Sequence, residues 1–349
     1  MYSDSPKSLC EYILGNYKND IDVYFVVKKG CNVKRENVKF IFSDTFEYFY
    51  HVCTTKVFIT NDGGISYIPF RKSQVVINTW HGGGAYKAIG RTLNRNVFFQ
   101  FDLKMSSANT DVFLSSCKKF TDSISDALLI PKSKFWEIGL PRNDCLINRD
   151  IQYIKSVKTK IGLSEHEKLV LYAPTFRRAD ASMGQNESVK IEIDSDIERI
   201  LSVLCEKWDG KWFFGFRNHP GIKNKKTITK PNVVDLSNYP DMQELLLVAD
   251  VLITDYSSSI WDFMLTQKPI FIYAPDIIEY SQKCKFYTPI NEWPFPISTD
   301  AETLKQSIKL FDYNDYLMRC KAHYDALGGN ETGNATKFLA EYIIDNISG

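Results

Sequence analysis

The chain has 349 residues, 44% hydrophobic and 24% charged, which is too long for one core and too apolar for disorder, so two globular domains are expected. Its 43 Lys plus Arg stand against 42 Asp plus Glu, which removes any bulk-charge case for nucleic acid and leaves an anionic ligand to a local site. No run reaches the about 18 apolar residues of a spanning helix, and the opening "MYSDSPKSLCEYIL" lacks the regions of a signal peptide. The protein is therefore expected in the cytoplasm, soluble or at most peripheral at the inner face of the membrane. The eight cysteines stand singly, without metal-ligand spacing, and read as reduced, mostly packed thiols.

Strand-like runs come in two series. The first is "IDVYFVV" (21–27), "VKFIF" (38–42), "KVFIT" (56–60), "QVVINTW" (74–80) and "DVFLSS" (111–116). The second is "KLVLYAP" (168–174), "KWFFGFR" (211–217), "NVVDL" (232–236), "VLIT" (251–254) and "PIFIY" (269–273). Most are continuously apolar, the pattern of parallel strands covered on both faces. Helical stretches lie between them. "DSDIERILSVLCEKW" (194–208) puts Ile197, Ile200, Leu201 and Leu204 on one stripe, and "DMQELLLVAD" (241–250) does the same with Met242, Leu245, Leu246 and Ala249. Two blocks of alternating strands and helices predict two Rossmann-like α/β domains, 1–150 and 151–330, with a hinge near 148–165. Residues 331–349 are expected to form a helix that returns to brace the first domain.

Five clusters sit at the carboxyl ends of these strands, where open α/β sheets bind ligands. In "INTWHGGGAYKAIG" (77–90) three glycines follow His81. The stretch is either a turn that holds a hydrogen-bonded histidine or the floor of an anion site. In the second case Gly82, Gly83 and Gly84 would expose backbone N–H groups, a helix starting near Gly84–Ala85 would favour phosphate, and His81 would act as general base. In "ITDYSSSIWDF" (253–263), Ser257 and Ser258 either cap a helix or cradle an anion, with Asp262 accepting from a sugar or polyol. "FGFRNHPG" (214–221) is either a solvated loop or places Arg217 and His219 for a diphosphate. "YAPTFRR" (172–178) and "GLPRNDCL" (139–146) are weaker alone. His51, His166 and His323 read as surface or packing residues.

The motifs "TWHGGGAYKAIG", "IGLPRNDCL", "YAPTFR", "RNHP" and "LITDYSSSIWDF", followed by "KPIFIY" and "INEWPFPI", resemble in this order the CDP-glycerol glycerophosphotransferase family of teichoic-acid polymerases and primases. The resemblance covers nearly the whole chain. It implies a GT-B-like fold with an interdomain cleft. It implies transfer of a polyol phosphate from a CDP-activated donor to a hydroxyl of an envelope polymer or its lipid-linked or glycan precursor, with CMP released. Carried over by motif, His81 would deprotonate the acceptor hydroxyl, and His219 with Arg217 would bind or protonate the donor phosphates. Ser257, Ser258 and Asp262 would hold the diphosphate and polyol. Gly82, Gly83, Gly84, Lys87, Arg142, Pro174, Thr175, Asn218 and Asp255 complete the donor-side assignment. No cofactor is expected, and no metal if Arg, His and helix N-termini neutralise the diphosphate.

Two departures stand out. A common form of the first motif, HGTPLK, has its lysine five residues after the histidine, whereas Lys87 is six after His81, which leaves the polyol open. The chain also begins inside a "YSDNPK"-like segment, so a first strand is expected to be missing, as in a domain cut from a longer protein. The alternative function is a GT-B glycosyltransferase using a nucleotide sugar.

Overall fold

The structure, a computed structural model, describes residues 1–17, 21–175, 193, 196–218 and 230–348. It divides into two compact units. The first comprises Met1–Asn148, Pro240–Gln243 and Asp325–Gly349; the second comprises Arg149–Tyr239 and Glu244–Tyr324.

In the first unit β1 (Val23–Val27) and β2 (Val38–Phe42) form a parallel pair. A separate parallel sheet runs in the order β3 (Val57–Thr60), β4 (Val75–Asn78), β5 (Val112–Leu114), β6 (Phe135–Trp136). The continuous apolar run of β4 has a direct cause. Val76 joins a cluster with Ile41, Tyr48, Val52, Ile65 and Ile68. Its neighbour Ile77 points to the other face and joins Leu9, Ile13, Val112, Leu114, Leu339 and Ile343. The second cluster is supplied by the N-terminal helix Asp4–Asn16 and the C-terminal helix Ala335–Ser348, so the last helix does return to the first domain.

The motif "GLPRNDCL" is the joint that holds that helix. Asp144 receives the backbone N–H groups of Ala335 (3.2 Å) and Thr336 (2.7 Å), and burial pushes its carboxyl above the usual range. Glu331 accepts from the Leu140 N–H (3.0 Å) and the Asn143 side chain (2.7 Å). Asn143 in turn accepts from Gln243 at 2.9 Å, which ties the short 240–243 excursion to this unit.

The second unit holds β7 (Lys168–Tyr172), β8 (Trp212–Phe216), β9 (Val233–Asp235), β10 (Val251–Thr254), β11 (Ile270–Tyr273) and β12 (Ile297–Ser298). They run parallel in the order β9-β8-β7-β10-β11-β12. Counted within the unit this is 3-2-1-4-5-6, the doubly wound dinucleotide-fold order, whose direction of winding reverses between β7 and β10. β10 and β11 are buried at every position, as their unbroken apolar sequences require.

All eight cysteines are free thiols. Burial raises Cys117 to about 11 and Cys320 to about 12, which keeps both neutral. Among the described residues no helix is long and apolar enough to cross a membrane.

Candidate active site

His81 stands just past the end of β4. Trp80 before it has φ +52° and donates its N–H to the Asn78 side chain at 2.8 Å, which turns the chain sharply off the sheet. The exposed imidazole stacks on the Trp80 ring, 4.5 Å between centroids and 25° between planes. Its Nδ1 lies 2.7 Å from the Asn61 carbonyl oxygen. A carbonyl only accepts, so Nδ1 carries the hydrogen, and in the neutral ring Nε2 keeps its lone pair. That is the arrangement a general base needs.

The glycine turn differs from expectation. No helix starts at Gly84–Ala85. Gly84 has φ +79° and Ala85 +57°, and two left-handed residues in succession cannot enter a right-handed helix. A single 3-10 turn follows at Gly90–Thr92, and the next helix begins at Val97. Gly83 and Gly84 are buried, and the Gly84 N–H is spent on Ser116 Oγ at 3.1 Å. The turn therefore offers no helix N-terminus to phosphate at this point. Gly82 and Lys87 are half-buried.

In the second unit the reversal point of the sheet lies where the sequence motifs place it. Past β7 come Pro174 and Thr175, and past β10 come Asp255, Tyr256, Ser257 and Ser258. One oxygen of Asp255 accepts from the Thr175 N–H (2.8 Å), the Thr175 hydroxyl (2.5 Å) and the Tyr256 N–H (2.6 Å). Asp255 is wholly buried, and through this one oxygen it shapes the two loops. Ser257 accepts from the Ser259 N–H (3.3 Å) and hydroxyl (2.9 Å), which ties down the start of the helix Ser259–Met264, while Ser258 at its N-cap makes no side-chain cap bond. Pro174, Thr175, Ser257 and Ser258 remain half-buried at the open end of the strands.

Three further candidates are buried. Asp262, expected to meet a polyol, is 3% exposed within the helix Ser259–Met264, because its helix is enclosed on every side. Arg142, expected at the donor site, is 4% exposed in the first unit beside Asp4, 3.4 Å away. Asn218 is buried, its N–H given to Ser237 Oγ at 3.0 Å. Arg217 is half-buried at the end of β8, anchored through its N–H to the Tyr172 carbonyl (2.9 Å). His219 lies outside the described residues.

A sequence profile for CDP-glycerol:poly(glycerophosphate) glycerophosphotransferases matches residues 1–344. The chain belongs to that family. It is 28% identical over 357 residues to the teichoic acid glycerol-phosphate transferase of Staphylococcus aureus, covering 98% of this chain and 90% of that one. It is 26% identical over 360 residues to a teichoic acid poly(glycerol phosphate) polymerase of Staphylococcus epidermidis, and spans 49% of that protein's length while 99% of this chain is covered. A solved structure of the wall teichoic acid polymerase TagF superposes with a TM-score of 0.86 at 26% identity, covering 99% of this chain and 86% of that one. Family membership thus rests on the whole chain, and the fold is the GT-B-like pair of Rossmann-like domains.

Sequence reasoning missed Asn61, which bonds to His81, Asp4, which bonds to Asn61, and Ser116, which takes the Gly84 N–H. The signals were slight: an Asn-Asp-Gly after a strand, an Asp at a helix start, and a Ser pair past β5.

Proposed function

We propose that the chain transfers glycerol phosphate or ribitol phosphate from its CDP-activated form to a hydroxyl of a teichoic-acid-type polymer or its lipid-linked precursor, releasing CMP. The observation that carries this reading is His81: an exposed imidazole at a strand's carboxyl end, with Nδ1 satisfied by the Asn61 carbonyl. The acceptor oxygen bonds to the phosphorus that bears the polyol, and the P–O bond to CMP breaks. The hydroxyl proton passes to His81 Nε2, and CMP leaves with the bridging oxygen. The charge gathering there calls for cations. Arg217 at the end of β8 supplies one, and the family resemblance assigns His219 beside it. The diphosphate is proposed to lie at the carboxyl ends of β7 and β10, against Thr175, Ser257 and Ser258.

The test is CMP release from CDP-glycerol and CDP-ribitol with a polyol-phosphate primer. His81→Ala should lower turnover by about 100-fold or more. Wild-type rates in that variant would sink the mechanism, and no turnover of either donor would sink the reading.

Peripheral contact with the cytoplasmic face of the membrane belongs to the same proposal. Val97, Phe98, Phe101 and Met105 lie on one face of the helix Val97–Asn109 and are exposed. The helix carries one lysine, Lys104, and one aspartate, Asp102, so binding should depend little on anionic lipid. Co-sedimentation with neutral and anionic vesicles, compared with a Phe98→Ser/Phe101→Ser variant, decides it. Equal retention of both proteins would exclude this helix as the contact.

A further inference from the structure

The hydrogen bonding behind His81 continues past its first partner. Asn61 follows β3 and is half-buried. Its backbone oxygen takes the His81 Nδ1–H at 2.7 Å, and its side-chain amide donates to Asp4 Oδ2 at 3.0 Å. Asp4 begins the N-terminal helix with φ +64°, a conformation that costs any residue but glycine. Its other oxygen accepts the Ser5 N–H at 2.6 Å. The Arg142 guanidinium lies 3.4 and 3.5 Å from the two carboxylate oxygens. Two distant stretches, at Asp4 and His81, thus hold Asn61 directly, and a third, at Arg142, holds Asp4.

The grip has a consequence for the imidazole. A backbone carbonyl swings with its peptide plane, and an amide side chain tied to a charged carboxylate restrains that plane. The Asn61 oxygen is therefore held toward His81, while the Trp80 ring fixes the plane of the imidazole from its face. The charge of Asp4 is matched by Arg142, so Asp4 acts by position rather than by sending its field to the ring.

We propose that Asp4 and Asn61 are positioning residues that hold His81 as the Nδ1–H tautomer, with Nε2 presented to the acceptor hydroxyl. The inference rests on the reading of His81 as the base, and it assigns work to the Asp of the opening "YSDSPK" segment. Asn61→Ala keeps the backbone carbonyl and leaves Arg142 beside its carboxylate, so it is the cleaner variant. Asp4→Asn is the second: it keeps an oxygen for the Asn61 amide but loses the charge.

Two measurements separate this proposal from the function it builds on. The first is the nitrogen-15 spectrum of the His81 ring, which reports the tautomer whether or not the protein turns over. The second is kcat and KM for the CDP-polyol. In Asn61→Ala the expected result is a mixture of tautomers, kcat lower by about 10-fold or more, and a KM within about 2-fold of wild type. Asp4→Asn should show a smaller shift of the same kind. A single Nδ1–H tautomer in folded Asn61→Ala overturns the proposal, whatever happens to kcat. A changed tautomer with unchanged kcat supports the positioning and instead overturns His81 as the base.

Discussion

Thr175 gives both its backbone N–H and its hydroxyl to the same oxygen of Asp255, at 2.8 and 2.5 Å. With the Tyr256 N–H on that oxygen too, a single buried atom sets the spacing of the loops after β7 and β10. The reversal point of the sheet is therefore organised from beneath by a buried carboxylate.

Removing that atom should be costly. Asp255→Ala strands three donors and is expected to lose about 3 kcal/mol of stability. Asp255→Asn, which keeps an accepting oxygen, should lose less, and Thr175→Val about 1 kcal/mol. Urea titrations rank the three. An Asp255→Ala midpoint equal to wild type would contradict the bracing role.

Gly90 closes the segment that begins at His81. It has φ +59°, and a Cβ there would sit 2.2 Å from the Ala127 carbonyl oxygen. Gly90→Ala must displace backbone, at about 2–3 kcal/mol. Calorimetric melting should show a clear drop, whereas Gly15→Ala, with nothing within 4 Å, should melt no lower than wild type.

Asp144 caps the C-terminal helix with both carboxylate oxygens. Asp144→Ala is expected to cost about 1–2 kcal/mol and to release that helix first. Proteolysis under native conditions should then cut within 335–348 sooner than in wild type. An unchanged cleavage pattern would argue that Glu331 alone retains the helix.

His323 gives a pH signature in the second unit. Burial pushes its imidazole down to about 4, against a hydrogen bond with the Glu292 backbone that pulls the other way. In the unfolded chain it regains its ordinary value of about 6.5. Between those values the unfolded state binds a proton that the folded state refuses, so stability falls as pH is lowered through that window and is flat above it. The full effect is bounded at about 3 kcal/mol. Comparing His323→Gln with wild type at pH 7.5 and 5 isolates it. A pH dependence identical in the two proteins would disprove the assignment.

The strands were legible because the chemistry that makes them is local. Runs such as "VLIT" and "IFIY" are apolar at every position since both faces are covered, and each lies where it was expected. Phe135–Trp136 and Ile297–Ser298 were missed because two residues carry no period. The site was legible in place but not in direction. A polar residue at a strand's end marks the right rim of the sheet, yet its letter is the same whether it faces outward, as His81 does, or inward, as Asp255, Asp262 and Arg142 do. Direction depends on partners far away in the chain. Arg142 turns in because Asp4 waits for it, and the Gly84 N–H is consumed because Ser116 stands beneath it.

The first unit is assembled from 1–148, 240–243 and 325–349, which sets an order on its birth at the ribosome. Leu9 and Ile13 are made more than 300 residues before the side chains that cover them, Leu339 and Ile343. The second unit has all its residues by Tyr324 and can close while the first still exposes an apolar helix. A nascent chain stalled before residue 335 would carry a finished second unit and an unfinished first one, a natural client for a chaperone.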